Sequence, residues 1–515
     1  MAPSRTGPRV RGVQPADGLP PELGRFLGAA SPQALTIRGP PGAGKSTLAL
    51  AILEQFEGFR AYVTTRVPRA ALLREHPWIE SAGGPGIAIL EQLRFRGGDP
   101  RSSLHIGQLR DALQARASDL VDLASVLSLP KELLDGMAAH PGAPRLVVID
   151  SWEAWVENLL GPTPLAIDVP TTHWELERSL LDRFRDEGAH VILLVEREAR
   201  DRIDYVADGA LSLTFSESDG RVERWLAYQK LRGTRLDSAT YPFTLEGGEF
   251  LCIRREPFHA PLGPIGVQPD PGPHEAGLWP GSTALAIRFG RLPAPGTTLL
   301  EADGETPIRL LGRLAVPIVA SALRSGGQVA VCPPLHLTPR ELEDALGAEA
   351  RAPGEEGQLR IFGSDGDGGE TRSRPAAGPA SAPDETSAAL RHARGQLASD
   401  GFFRDPVRPT ARSLLAVFLE SPPDSAQGAE QLRAFLDLAS SARRPGMPLA
   451  TVVVTTADSP VIAALRSRSA LHLSVRASRG QFFLTGIRPW TPHFALTLPR
   501  PDEPGHPPFG LVPMV

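Results

Sequence analysis

The string Gly39-Pro40-Pro41-Gly42-Ala43-Gly44-Lys45-Ser46-Thr47 constrains this chain more than any other feature. It stands directly behind an apolar run, Ala34–Arg38, and directly before a helical pattern, Lys45–Phe56. Strand, glycine-rich turn and helix in that order make a phosphate loop: the glycines let backbone N–H groups curl round an anion, and the helix N-terminus adds partial positive charge. Lys45 then reaches the outer phosphates, and Ser46 can ligate Mg²⁺. The chain holds only three lysines, Lys45, Lys131 and Lys230, and otherwise uses arginine. A lysine here marks a place where a compact ammonium serves and a planar guanidinium does not.

The same rhythm continues downstream. Apolar runs at Arg60–Thr64, Gly86–Leu90, Arg145–Ile149, Val191–Val195, Ala210–Phe215 and Arg224–Tyr228 alternate with helical patterns such as Arg69–Glu75, which predicts a mostly parallel α/β sheet. The run Arg145-Leu146-Val147-Val148-Ile149 ends in Asp150, and a buried parallel strand delivers such a carboxylate to the edge where ligands bind. Asp150 is therefore expected behind a metal ion, together with Ser46. Ile106–Ala139 carries an amphipathic helical pattern and reads as an insertion.

With 515 residues, 41% of them hydrophobic, the chain is expected to fold as two or three domains. No apolar run approaches the roughly 20 residues of a membrane helix. Two cysteines, Cys252 and Cys332, cannot make a disulfide framework, and the basic start lacks an apolar segment behind it, so a cytoplasmic location is expected. A net charge of −5 speaks against a dedicated nucleic-acid binder. Glycine and proline, 51 and 52 residues, cluster at Pro261–Pro264 through Trp279–Gly281, read as a linker. The expected division is a tail over 1–20, a first domain over 21–257, a linker over 258–280, a second domain over 281–500 with a disordered insert at 363–395, and a tail over 501–515.

A weak repeat joins the two domains. Gly58–Val63 matches Gly326–Val331, Pro68–Leu72 matches Pro339–Glu343, Gly86–Ile89 matches Gln358–Phe362, Leu146–Ser151 matches Ala416–Ser421, and Leu226–Gly233 lies over Phe482–Pro489. Asp150 thus falls over Glu420 and Arg232 over Arg488. Where a second phosphate loop should follow Thr298–Leu300 stands Glu301-Ala302-Asp303-Gly304-Glu305, acidic and without lysine, so this repeat is expected to bind no nucleotide.

The string Tyr205-Val206-Ala207-Asp208-Gly209-Ala210, the segment Lys230-Leu231-Arg232-Gly233-Thr234 and Tyr241-Pro242-Phe243-Thr244, taken with the phosphate loop and Val147–Ser151, resemble the KaiC-like branch of the RecA-type ATPases. That branch includes the clock protein KaiC, the gas-vesicle regulator GvpD and archaeal recombinase paralogues. The resemblance implies a RecA-like core followed by a degenerate copy, with ATP and Mg²⁺ on Gly39–Thr47. It implies a homo-oligomer, such as a hexameric ring, in which Lys230 and Arg232 reach the neighbour's γ-phosphate. Such proteins usually carry a pair of glutamates just after the second strand to polarise the attacking water, whereas this chain has Thr64-Thr65-Arg66-Val67-Pro68. Without such a group turnover should slow by roughly 10²–10⁴. Glu75, Glu153 and Glu196 are the replacements to consider, Glu196 standing nearest the phosphate edge. The expected function is slow ATP hydrolysis in an oligomer that regulates assembly or the binding of a protein partner, without nucleic acid or membrane. The alternatives are a non-hydrolysing nucleotide-gated scaffold and a recombinase paralogue that binds single-stranded DNA. Scattered histidines (His76, His105, His173, His190) lack metal-ligand spacing, and Trp152, Trp155 and Trp174 read as core or interface.

Overall fold

A computed structural model describes residues 18–80, 86–91, 129–160, 169–196, 203–254, 265–272, 275–332, 338–347, 359–362, 384–399, 402–403, 412–419, 425–443, 448–498 and 508–515. The chain divides into two compact units, the first made of Pro15–Arg254 together with Met514–Val515 and the second containing Arg255–Pro513. The first unit carries β1 (Ala34–Arg38), β2 (Phe59–Thr64), β3 (Ala88–Glu91), β4 (Arg145–Asp150), β5 (Ala189–Val195), β6 (Gly209–Ser218), β7 (Arg221–Leu231), β8 (Thr240–Thr244) and β9 (Leu251–Cys252). They lie in the order β3-β2-β4-β5-β1-β6-β7-β8-β9. The strands from β3 to β6 run parallel, and β7, β8 and β9 follow antiparallel.

The apolar runs are strands because both faces of the sheet are covered. On β4, Leu146 and Val148 pack with Ile37, Leu48, Ile52 and Tyr62 on one face, while Val147 and Ile149 pack with Ala61, Val191, Leu193 and Trp155 on the other. A strand buried on both faces reads as a continuous hydrophobic run, which is the signature of a parallel sheet between helices. Each buried Val, Leu or Ile contributes roughly 1.5–3 kcal/mol relative to exposure. The alternation also fixes direction: Asp150 shares the face of Leu146 and Val148, where the helix Lys45–Gln55 packs.

The second unit repeats this plan with β10 (Gly296–Ala302), β11 (Val329–Cys332), β12 (Leu359–Ile361), β13 (Ser413–Phe418), β14 (Leu449–Thr456), β15 (Leu471–Ser478), β16 (Gln481–Arg488), β17 (His493–Thr497) and β18 (Gly510–Pro513). Their order, β12-β11-β13-β14-β10-β15-β16-β17-β18, is that of the first sheet, strand for strand. The matched segments fall on equivalent strands: β2 with β11, β3 with β12, β4 with β13, β7 with β16. Both sheets are RecA-like, and the fold class is α/β with one domain type used twice.

Several expectations change in detail. The disordered stretch expected over 363–395 lies outside the described residues up to 383, but from Asp384 to Ser399 the chain is a helix. Its Leu390, Ala393 and Leu397 are buried at helical spacing against Phe402 and Leu415. The tail expected over 501–515 contains β18, which pairs with β17 through Leu511 and Val512. Of the insertion expected over Ile106–Ala139, residues up to 128 lie outside the described residues, as does His105 before it, and Lys131–Ala138 is a helix.

Candidate phosphate-binding site

The loop between β1 and the helix Lys45–Gln55 is shaped by its glycines. A Cβ on Gly39 would stand 2.4 Å from the Leu213 carbonyl oxygen of β6, so only hydrogen fits there. Gly44 precedes the helix at φ +93°, in the left-handed region that favours glycine. The helix begins without a side-chain cap on its first N–H groups, which is the arrangement that receives an anion. Gly39, Pro40, Pro41, Gly42, Ala43, Gly44, Lys45, Ser46 and Thr47 all belong to this turn and first helical residues, as the sequence predicts.

Lys45 folds over the loop, with Nζ donating to the carbonyls of Gly39 at 2.6 Å and Pro40 at 3.1 Å. Burial lowers the pKa of its ammonium, against the fields of Glu196, Asp150 and Glu153, which raise it. Three carboxylates thus share the neighbourhood of one lysine. Ser46 Oγ donates to Asp150 Oδ2 at 2.8 Å. A hydroxyl and a carboxylate in contact at the end of β4, beside an uncapped helix, are a donor set that fits a hard divalent cation next to a phosphate. Among the described residues no group of three or more His, Cys, Asp or Glu side chains could hold a metal by itself.

Asp150 is held from two sides. Tyr62, on β2, donates its hydroxyl to Asp150 Oδ2 in a short hydrogen bond. Burial, with the Asp150 charge beside it, raises the phenol pKa well above its ordinary value, so the proton stays on Tyr62. The Asp150 carbonyl accepts from Thr65 N at 2.7 Å and from Thr65 Oγ1 at 2.9 Å. Tyr62 and Thr65 were not legible in the sequence. Their contacts depend on the register that places Tyr62 beside Val148 and Thr64 beside Asp150.

The carboxylates proposed for the water differ in position. Glu196 follows β5 and pairs with Arg66 at 2.5 Å. Glu153 opens the helix after β4, and its Oε1 accepts from Glu196 N at 2.9 Å. Glu75 is exposed at the far end of the helix Arg69–Glu75. Lys230 and Arg232 are not brought to this site. Lys230 lies near the end of the antiparallel β7 and Arg232 directly follows the strand; Lys230 and Leu231 pair with Ala210 and Gly209 at the start of β6, so both cations lie at the end of the sheet opposite the loop. There Arg232 donates to the Tyr205 carbonyl at 3.2 Å and pairs with Asp208 at 3.5 Å. Tyr241, of the same motif, bonds the buried Glu22 at 2.7 Å and serves packing.

The second unit corrects one expectation. Glu301 does not belong to an acidic loop; β10 runs on to Ala302, and Glu301 is buried in it, bonded to Arg466 and to His472 at 2.8 Å. Asp303 accepts from Ala477 N at 2.6 Å and from Thr306 Oγ1 at 2.5 Å. Both carboxylates are engaged inside the unit, so the charge that the sequence places on a loop is largely internal. Arg488 bonds the Ser469 carbonyl at 2.9 Å, and Glu420 lies outside the described residues. Trp152 and Trp155 are core residues, as expected, and His190 accepts from Gln33 N at 3.1 Å. His173 and the Trp174 side chain lie outside the described side chains.

Comparison with known proteins agrees with this geometry. Residues 23–229 match the family model described as "GvpD gas vesicle protein, P-loop domain". Protein GvpD2 of Halobacterium salinarum is 26% identical over 350 residues, 64% of this chain and 64% of that protein. Protein GvpD1 of the same organism is 28% identical over 240 residues, 46% of this chain and 40% of that protein. The chain thus spans less than two thirds of the length of these curated relatives. No described helix is long and apolar enough to cross a membrane. Over residues 23–229 the first unit is similar to the P-loop domain of the GvpD proteins, which are relatives of the RecA-type ATPases.

Proposed function

We propose that the first unit binds ATP with Mg²⁺ on Gly39–Thr47 and hydrolyses it slowly in a homo-oligomer, and that the nucleotide state regulates assembly or the binding of a protein partner. The likeness to GvpD proteins supports a partner among gas-vesicle proteins. The reading rests on one observation above the others: Ser46 Oγ lies 2.8 Å from Asp150 Oδ2 beside Lys45 at an uncapped helix N-terminus. Ser46 and Asp150 would hold a magnesium ion, which would supply positive charge against the outer phosphates. The loop N–H groups and Lys45 orient the chain of phosphates. Water adds to the terminal phosphorus as the bond to the bridging oxygen breaks, giving ADP and phosphate, and Glu196 accepts the water's proton. Lys230 and Arg232 of a neighbouring copy approach the same phosphate. A non-hydrolysing nucleotide-gated scaffold is the second reading, favoured by the pairing of Glu196 with Arg66 at 2.5 Å.

The test is ATP turnover across a range of protein concentrations, beside Lys45→Ala. Specific activity that rises with concentration, and falls at least ~100-fold in Lys45→Ala, is expected. Binding without turnover above the Lys45→Ala level would select the scaffold, and no binding at all would end both readings. Tyr62→Phe, which keeps the ring and removes the donor to Asp150 Oδ2, should weaken Mg²⁺-dependent nucleotide binding about tenfold. Binding measured in the presence of a chelator should not change. An equal loss with and without Mg²⁺ would show that Tyr62 acts through packing alone.

A further inference from the structure

An ion pair closes over the end of β4. Thr64 of β2 and Leu194 of β5 both stand beside Asp150 of β4. Arg66 and Glu196 each come two residues further along, and their side chains meet at 2.5 Å across the strand that lies between them. The pair's backbones are fixed. Thr65 is bonded twice to the Asp150 carbonyl, and Glu196 N donates to Glu153 Oε1 at 2.9 Å. Its charged heads are not: Arg66 and Glu196 are 54% and 38% exposed. An exposed pair of this kind contributes about 0–1 kcal/mol, so it exchanges readily when a stronger partner arrives.

That partner would arrive at Lys45. The clasp stands over Asp150, which accepts from Ser46 Oγ at 2.8 Å, and Ser46 follows Lys45 in the loop, so the clasp and the lysine share one neighbourhood. A terminal phosphate drawn to Lys45 carries more negative charge than a carboxylate and offers a guanidinium paired acceptor oxygens. A diphosphate, which ends one phosphate short, offers none of this at the clasp.

We propose that Arg66 reads the terminal phosphate of a nucleoside triphosphate on the loop, leaving Glu196 for that phosphate and returning to Glu196 when a diphosphate remains. This rests on the loop being a nucleotide site. The exchange makes Arg66 the residue that distinguishes triphosphate from diphosphate, and it frees the Glu196 carboxylate only when a triphosphate is present. An arginine at the position where relatives are expected to carry glutamate then couples occupancy to the availability of the water's proton acceptor.

The experiment measures the affinities of the full chain for ADP and for a non-hydrolysable ATP analogue with Mg²⁺, in wild type, Arg66→Gln and Glu196→Gln. Arg66→Gln should weaken the analogue about tenfold and leave ADP within about twofold. Glu196→Gln, which removes the competing carboxylate, should tighten the analogue several-fold and leave ADP unchanged. Equal losses for both nucleotides in Arg66→Gln, or no loss for either, would overturn the proposal while leaving the phosphate-loop reading in place. If wild type binds neither nucleotide, the phosphate-loop reading falls and this one falls with it. Both side chains are exposed, so a thermal melt matching wild type confirms that the variants report on the site.

Discussion

Turnover by an Arg232→Ala protein is expected to fall about 10³-fold and to return in part when that protein is mixed with Lys45→Ala. The argument is positional. Arg232 directly follows an antiparallel strand at the end of the sheet away from its own loop, where Gly209 pairs with Leu231, and it is held there by Tyr205 and Asp208. It cannot serve the phosphate bound by its own Lys45, but a head-to-tail neighbour can present it to the next loop. In a mixed oligomer, an intact loop from an Arg232→Ala copy meets an intact Arg232 from a Lys45→Ala copy at about a quarter of the interfaces when the two are equal and assort freely. Two inactive proteins should then give measurable turnover. If the mixture assembles and stays inactive, or if Arg232→Ala hydrolyses ATP like wild type, Arg232 does not act between copies.

What could be read from the sequence was what is local along the chain. The phosphate loop is nine consecutive residues, and Asp150 announces itself as the acid that ends an apolar run. The contacts that hold Asp150 are not local. Tyr62 and Asp150 lie 88 residues apart, and Arg66 and Glu196 lie 130 apart, joined only because β2 and β5 flank β4. Without the strand order, Arg66 is one exposed arginine among many and Glu196 one acid after a strand. The second unit shows the opposite error. Its strand order follows from a repeat of apolar runs faint enough to need the first unit as a guide, yet its charges mislead. Glu301 reads as loop because an acid seldom continues a buried strand, and it does so here because Arg466 and His472, both far along the chain, meet it. The helix Asp384–Ser399 is hidden for a different reason: the glycine- and proline-rich stretch before it blurs where low complexity stops and a 16-residue helix starts.

Glu301→Gln is expected to destabilise the second unit by about 2 kcal/mol at pH 7, with the deficit vanishing as the pH falls from 4.5 towards about 2. Burial alone would push the Glu301 carboxyl up, but hydrogen bonds and charge from His472 and Arg466 outweigh it and hold the group down to about 2, against an ordinary value of 4.5. The sign follows. A carboxyl with a depressed pKa in the folded state adds stability that is fully present above its unfolded pKa, and that stability drains away as acid protonates it down through the folded value. The whole shift corresponds to about 3 kcal/mol, reduced here because Arg466 is 47% exposed and water screens its share. Glutamine keeps the shape, removes the charge, and leaves Arg466 and His472 facing a neutral amide. Urea unfolding of the full chain at several pH values, with the exposed Glu305→Gln as control, measures the gap directly. A gap that stays constant with pH would mean that Gln fails to fit for steric reasons, and no gap at pH 7 would mean that the three groups neutralise nothing that folding needs. The result also bears on function. β10 stands where the first sheet has the strand that feeds its phosphate loop, and if its carboxylate is spent on Arg466 and His472, the second copy of the fold has turned the charge at that strand inward, to hold its own sheet rather than a nucleotide.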